Sequence, residues 1–107
     1  MTPVRESAVD EISILRPSDR WDDFEPDLES ALQASGLTVT LRTTLKQLPG
    51  SLHWHVRRGR APGTLEITLL PAQRRAWFSV HSNRRGEWIA VAIADLKQAL
   101  EAPAGST

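Results

Sequence analysis

Three histidines and one glutamate hold most of the reactive chemistry in this sequence. His53 and His55 stand at i and i+2, the spacing that puts two imidazoles on one side of a β-strand, and Glu66 and His81 follow at distances that suit neighbouring strands. Imidazoles beside a carboxylate are the material of an acid/base pair, or of a metal site with two or three protein ligands. The chain has no cysteine, so thiolate nucleophiles, disulfides and Cys-ligated zinc are excluded. No nucleophile elbow, Gly-rich phosphate loop or second carboxylate accompanies the histidines, and His-x-His on a strand is also ordinary amphipathic surface. Catalysis and metal binding therefore rank below a binding role, and no cofactor is expected.

Arginine is the second resource, with eleven against two lysines. The formal net charge of zero averages two unlike parts of the chain. Residues 1–36 hold nine acidic and three basic side chains, a net of −6, whereas residues 37–85 hold nine basic side chains and only Glu66, a net of +8. Such asymmetry points to a polyanionic partner or to an acidic segment that neutralises the basic one, and planar, forked guanidinium groups suit phosphate. The candidate phosphate contacts are Arg42, the Arg57, Arg58 and Arg60 group, the Arg74–Arg75 pair and the Arg84–Arg85 pair. Trp77 lies among them. A tryptophan turned to solvent on a strand exposes a large apolar area, and a stacked base would cover it at ~1–3 kcal/mol per base. His53 and His55 would stack in the same way. An N-terminal arm, a partner copy or Arg75 lying across the ring would cover it equally well.

The elements that must position these groups follow from periodicity. At 107 residues the chain makes one domain with one core. Residues 1–17 read as a flexible or docking arm, with Ile12–Leu15 open to being a short edge strand. A single domain is expected over 18–102 and a frayed tail over 103–107. A helix is expected from about Pro26 to Ser35, with Leu28, Ala31 and Leu32 on one face and Gly36 ending it. From Leu37 the period becomes two. Four strands follow, in which Leu37 to Leu45, Leu52 to Val56, Leu65 to Leu69 and Ala76 to Val80 turn alternate side chains inward, Trp54 among them. Loops this short join antiparallel neighbours. Residues 87–102 read as a C-terminal helix with Ile89, Ala92, Ile93, Leu96, Ala99 and Leu100 on one face; the alternative makes 87–93 a fifth strand before a shorter helix. Trp88 reads as packing.

The expected fold is α+β: helix, four-stranded antiparallel meander, helix, with the helices on the apolar face. Hairpin symmetry sets His55 opposite Glu66, His53 opposite Thr68, Glu66 opposite Ser79 and Thr68 opposite Trp77, with Arg42 beside His55 and Thr44 beside His53. Four antiparallel strands followed by a helix is similar in topology, without a shared sequence motif, to the repeats of Whirly, Pur and positive-cofactor-four domains. That likeness implies single-strand binding and dimerisation. The leading expectation is a non-catalytic module binding single-stranded DNA or RNA on an open basic sheet face, followed by a protein-interaction or homodimerisation module. The six carboxylates of Asp19 to Glu29 are expected to compete with the polyanion if they fold over that face. The apolar run Ile89 to Ala94 is far too short to span a bilayer, so a cytoplasmic, membrane-free location is expected.

Overall fold

The computed structural model describes residues 9–103. Seven main elements follow in order: β1 (Val9–Ser13), α1 (Phe24–Ala34), β2 (Thr38–Leu45), β3 (Leu48–Arg57), β4 (Leu65–Leu70), β5 (Arg75–His81) and α2 (Glu87–Glu101). The strands form one antiparallel sheet in the order β1-β5-β4-β3-β2, so the sheet has five strands where four were the main expectation. The additional strand is Val9–Ser13 on the outer side of β5, while residues 87–101 are helical throughout. Residues 104–107 of the expected tail, and residues 1–8 of the arm, lie outside the described residues.

Local chemistry sets the helix ends. Pro26 occupies the first turn of α1, where its missing N–H leaves no gap in the helical bonding, and Glu25 and Asp27 sit where the helix dipole favours negative charge. At the other end Gly36 adopts φ +69°, its N–H bonds to the Gln33 carbonyl at 3.1 Å, and the Leu37 N–H bonds to the Leu32 carbonyl at 2.9 Å. This pair of hydrogen bonds is the glycine stop that satisfies the last helical carbonyls and sends the chain straight into β2.

Both helices lie on one face of the sheet and touch each other. Phe24, Leu28 and Leu32 of α1 and Ile89, Leu96 and Leu100 of α2 close over Trp54, Val56, Leu65, Ile67, Leu69, Phe78 and Val80. Trp21 stacks on Phe24 at 5.8 Å, and Phe24 meets Trp54 at 6.5 Å, so the aromatic anchor before α1 continues into the core.

Arg16 ties the segment after β1 to both helices. Its buried guanidinium donates to the Leu100 carbonyl at 2.9 Å, to the Arg20 carbonyl and to Asp27, and lies over the Phe24 ring. Arg20 donates to Asp27 and to the Ala102 carbonyl, which places two cations at the C-terminal end of α2, where its dipole is negative. Burial works to raise the Asp27 pKa, but the hydrogen bonds and charges of Arg16 and Arg20 outweigh it and hold the carboxyl below the ordinary aspartate value. Glu101 accepts from the Leu15 N–H and from Lys97, and Lys97 also donates to the Ser13 carbonyl. Residues 9–16 are thereby fixed to β5 on one side and α2 on the other.

Candidate functional site

Period-two alternation and the observed registers define the second sheet face. One row across it runs Leu41, His55, Glu66, Ser79 and Glu11; the next runs Thr43, His53, Thr68, Trp77 and Ser13. The β3–β4 and β4–β5 pairings agree with those expected from hairpin symmetry. Among the described residues no helix covers this face, yet its centre is buried. Glu66 is 6% exposed and Thr68 2%, and His53 and Ser79 are also buried, because neighbouring side chains on three adjacent strands screen one another.

Glu66 organises that centre. Its Oε1 lies 3.0 Å from His53 Nε2 and 3.5 Å from His55 Nε2, while its Oε2 lies 2.9 Å from His81 Nε2 and 3.6 Å from the Arg84 guanidinium. His55 is directly opposite Glu66 on β3, and His53 reaches it diagonally. The other ring nitrogen of His53, Nδ1, is 2.8 Å from Thr68 Oγ1, which fixes the orientation of that ring. The His53 and His55 rings meet edge to face at 5.1 Å. Burial holds the His55 pKa below the ordinary imidazole value; the charge of Glu66 works upward against it, and His53, Arg84 and His81 add to the lowering. A buried carboxylate surrounded by three imidazoles and a guanidinium is fully satisfied as a polar group, consistent with the absence of unpaired buried side-chain polar atoms among the described residues.

Five arginines gather at one end of the sheet beside this cluster. Arg57, Arg58 and Arg60 belong to the end of β3 and the loop that follows; Arg84 and Arg85 belong to the β5–α2 connection. The two loops are locked together. The Thr64 N–H bonds to the Arg84 carbonyl at 2.9 Å, and the Trp88 indole N–H bonds to the Pro62 carbonyl at 2.9 Å. Gly86 makes this docking feasible, since a Cβ there would stand 2.1 Å from the Pro62 carbonyl oxygen. Arg85 is engaged by Asp10 of β1, and Arg57 reaches the Ala61 carbonyl. The side chains of Arg58 and Arg60 make no ion pair or hydrogen bond among the described residues.

The other expected contacts separate from this group. Arg42 faces the helices rather than the imidazoles. The pairing of β2 shifts between Val39 and Leu41, so Leu41 rather than Arg42 stands beside His55 and Thr43 rather than Thr44 stands beside His53. Arg42 lies 5.8 Å over the Trp54 ring and pairs with Glu25 of α1. Arg74 and Arg75 sit at the far end of the sheet. There Arg74 shares a small pocket with Asp19 and Asp22, and Arg75 lies 5.3 Å over the Trp77 ring. Trp77 is half-buried under that guanidinium. The acidic segment does not fold over the imidazoles: Asp27 and Glu25 engage Arg16, Arg20 and Arg42 on the helix side.

Glu66, Thr68 and His81 belong to the site beside the residues singled out as binding groups. Their signal in the sequence is positional, a lone acidic side chain placed by hairpin arithmetic among histidines on both flanking strands. Comparison of the chain with protein-family models, with curated proteins and with solved structures finds no match.

Proposed function

We propose that this chain is a non-catalytic binding module for a single-stranded nucleic acid. Phosphates are held at the arginine end of the sheet by Arg57, Arg58, Arg60 and Arg84, and the Trp77–Arg75 pair receives a base at the other. The observation that carries this reading is the convergence of two arginine-bearing loops in which Arg58 and Arg60 have no acidic partner among the described residues. Four residue steps along β5 carry the chain from Trp77 to His81, ~13 Å at about 3.3 Å per step, a span within reach of a short oligonucleotide. Glu66 lies on this path, and its enclosure by three imidazoles and Arg84 shields the phosphates from its charge. Exposed Glu11 keeps the β1 side of the face acidic and directs the strand over β3 to β5.

Neutralising three or four phosphates gives a log–log salt slope of roughly −2 to −3 for a single strand, which is about a 20- to 50-fold loss of affinity between 50 and 200 mM salt. Fluorescence anisotropy of a labelled oligothymidylate measures it. Affinity that is absent, or flat over that range, refutes the proposal. A second reading, a protein-interaction or homodimer module, is favoured by β2, an outer strand with Val39 40% and Leu41 44% exposed. Sedimentation equilibrium that finds only monomer removes the homodimer form of that reading.

A further inference from the structure

We propose that His53, His55 and Glu66 form a binding site for one divalent first-row transition metal ion, with zinc the natural probe. The inference rests on the mutual geometry of the donors and is independent of nucleic-acid binding. One ligand atom from each of the three residues can be chosen so that all lie within 4.8 Å of one another. An ion bound tetrahedrally at 2.0–2.1 Å has ligand atoms about 3.3 Å apart. The His53 Nε2 to Glu66 Oε1 distance of 3.0 Å and the His55 Nε2 to Glu66 Oε1 distance of 3.5 Å bracket that edge.

The surroundings match what a ligand set requires. A metal-binding imidazole uses one ring nitrogen and donates the other N–H to an oxygen, which sets its tautomer and aims its lone pair. His53 has that arrangement, with Nδ1 at 2.8 Å from Thr68 Oγ1 and Nε2 turned to the site. The ligating carboxylate has its own support: His81 at 2.9 Å from Oε2 holds the oxygen that faces away from His53 and His55. Two neutral nitrogens and one carboxylate form a borderline-soft donor set that suits zinc, cobalt, nickel or iron better than magnesium or calcium, which take all-oxygen shells. Three protein ligands leave a coordination position, and partial exposure of His55 gives it access to water or to a small anion.

The deciding experiment is a zinc titration of the chelator-stripped full chain, followed by isothermal calorimetry and by histidine-selective long-range nitrogen NMR. Expected are one zinc ion per chain, shifts of the Nε2 resonances of His53 and His55, and a melting temperature that rises with zinc. Glu66→Gln should abolish stoichiometric binding, and Thr68→Val should weaken it by about 10- to 100-fold through loss of the oriented His53. Wild-type imidazole resonances that stay in place when zinc is added overturn the proposal, whatever the variants do. So does one-to-one binding that persists in a folded His53→Asn, His55→Asn double variant. The zinc titration contains no oligonucleotide, so its failure leaves the nucleic-acid reading standing, and the reverse also holds.

Discussion

Replacing Gly86 by alanine tests whether the two arginine loops are held as one body. The added methyl would stand 2.1 Å from the Pro62 carbonyl oxygen and 2.8 Å from the Trp88 indole nitrogen. Ordinary contact begins at 3.4 Å, so the Pro62 backbone must retreat by about 1.3 Å, and the 2.9 Å bond between the indole N–H and that carbonyl cannot survive the move. The lost hydrogen bond costs ~1 kcal/mol and the overpacking ~1–3 kcal/mol, for a total of about 2–4 kcal/mol. In a domain this size that lowers the melting temperature by roughly 10–20 °C. The matched control is Gly59→Ala, in the same loop region at φ +52° but with nothing within 4 Å of the new methyl, where only the left-handed backbone is penalised, at about 1 kcal/mol. Thermal unfolding followed by far-ultraviolet circular dichroism reads both. A Gly86→Ala chain that melts within a few degrees of wild type, or no lower than Gly59→Ala, would refute the docking of the loops.

Three further outcomes follow from particular contacts. Asp27→Asn should destabilise the fold by ~2 kcal/mol at neutral pH, since it removes the carboxylate shared by Arg16 and Arg20. Because the folded pKa of Asp27 is depressed, its contribution is present above the unfolded value and is lost as pH falls through the folded one, so the gap between variant and wild type should close below about pH 4 in urea melts; a gap that stays constant contradicts this. Trp54→Ala, at a fully buried position under Phe24 and Arg42, should cost about 3–5 kcal/mol in denaturant unfolding, and a cost under 1 kcal/mol would deny it a place in the core. Trp77→Ala should cost far less stability, about 1 kcal/mol, and should weaken oligonucleotide binding about 5- to 100-fold while leaving its salt slope unchanged, a combination read by anisotropy over a salt series.

Alternation and loop length made the centre of the sheet legible. His55 opposite Glu66 and Thr68 opposite Trp77 follow from short hairpins whose inner positions are unambiguously apolar. The outer strands were less legible, each for its own reason. Val9–Ser13 carries Asp10 and Glu11 and is mostly exposed, so its place beside β5 comes from backbone pairing and from the Lys97 and Glu101 contacts rather than from a hydrophobic pattern. In β2 the register shift near Thr40 reverses the faces of Leu41 and Arg42, and nothing in a run of Thr, Leu and Arg announces it. Burial of the polar face was equally hidden. Period two tells which side a residue takes, but the screening of Glu66 by His53, His55 and His81 depends on diagonal reach across three strands.

The membership of the arginine group shows the same division. Periodicity puts Arg57 at the end of a strand and Arg58, Arg60, Arg84 and Arg85 in connections, and the bond from the Thr64 N–H to the Arg84 carbonyl brings those connections together. Alternation and hairpin symmetry set Arg42 beside His55, and the register shift of β2 takes it to Glu25 of α1 instead; Arg74 shares its pocket with Asp19 and Asp22 from the segment before α1. Among the described residues no helix is long and apolar enough to cross a membrane.

The most direct measurement is an amide and arginine side-chain NMR titration of the full chain with a short oligothymidylate at low salt. Concerted, saturable shifts at Arg57, Arg58, Arg60 and Arg84, accompanied by the Trp77 indole N–H and absent from α1, are the predicted result. Signals that stay in place, or shifts confined to the outer edge of β2, would contradict nucleic-acid binding at the arginine end.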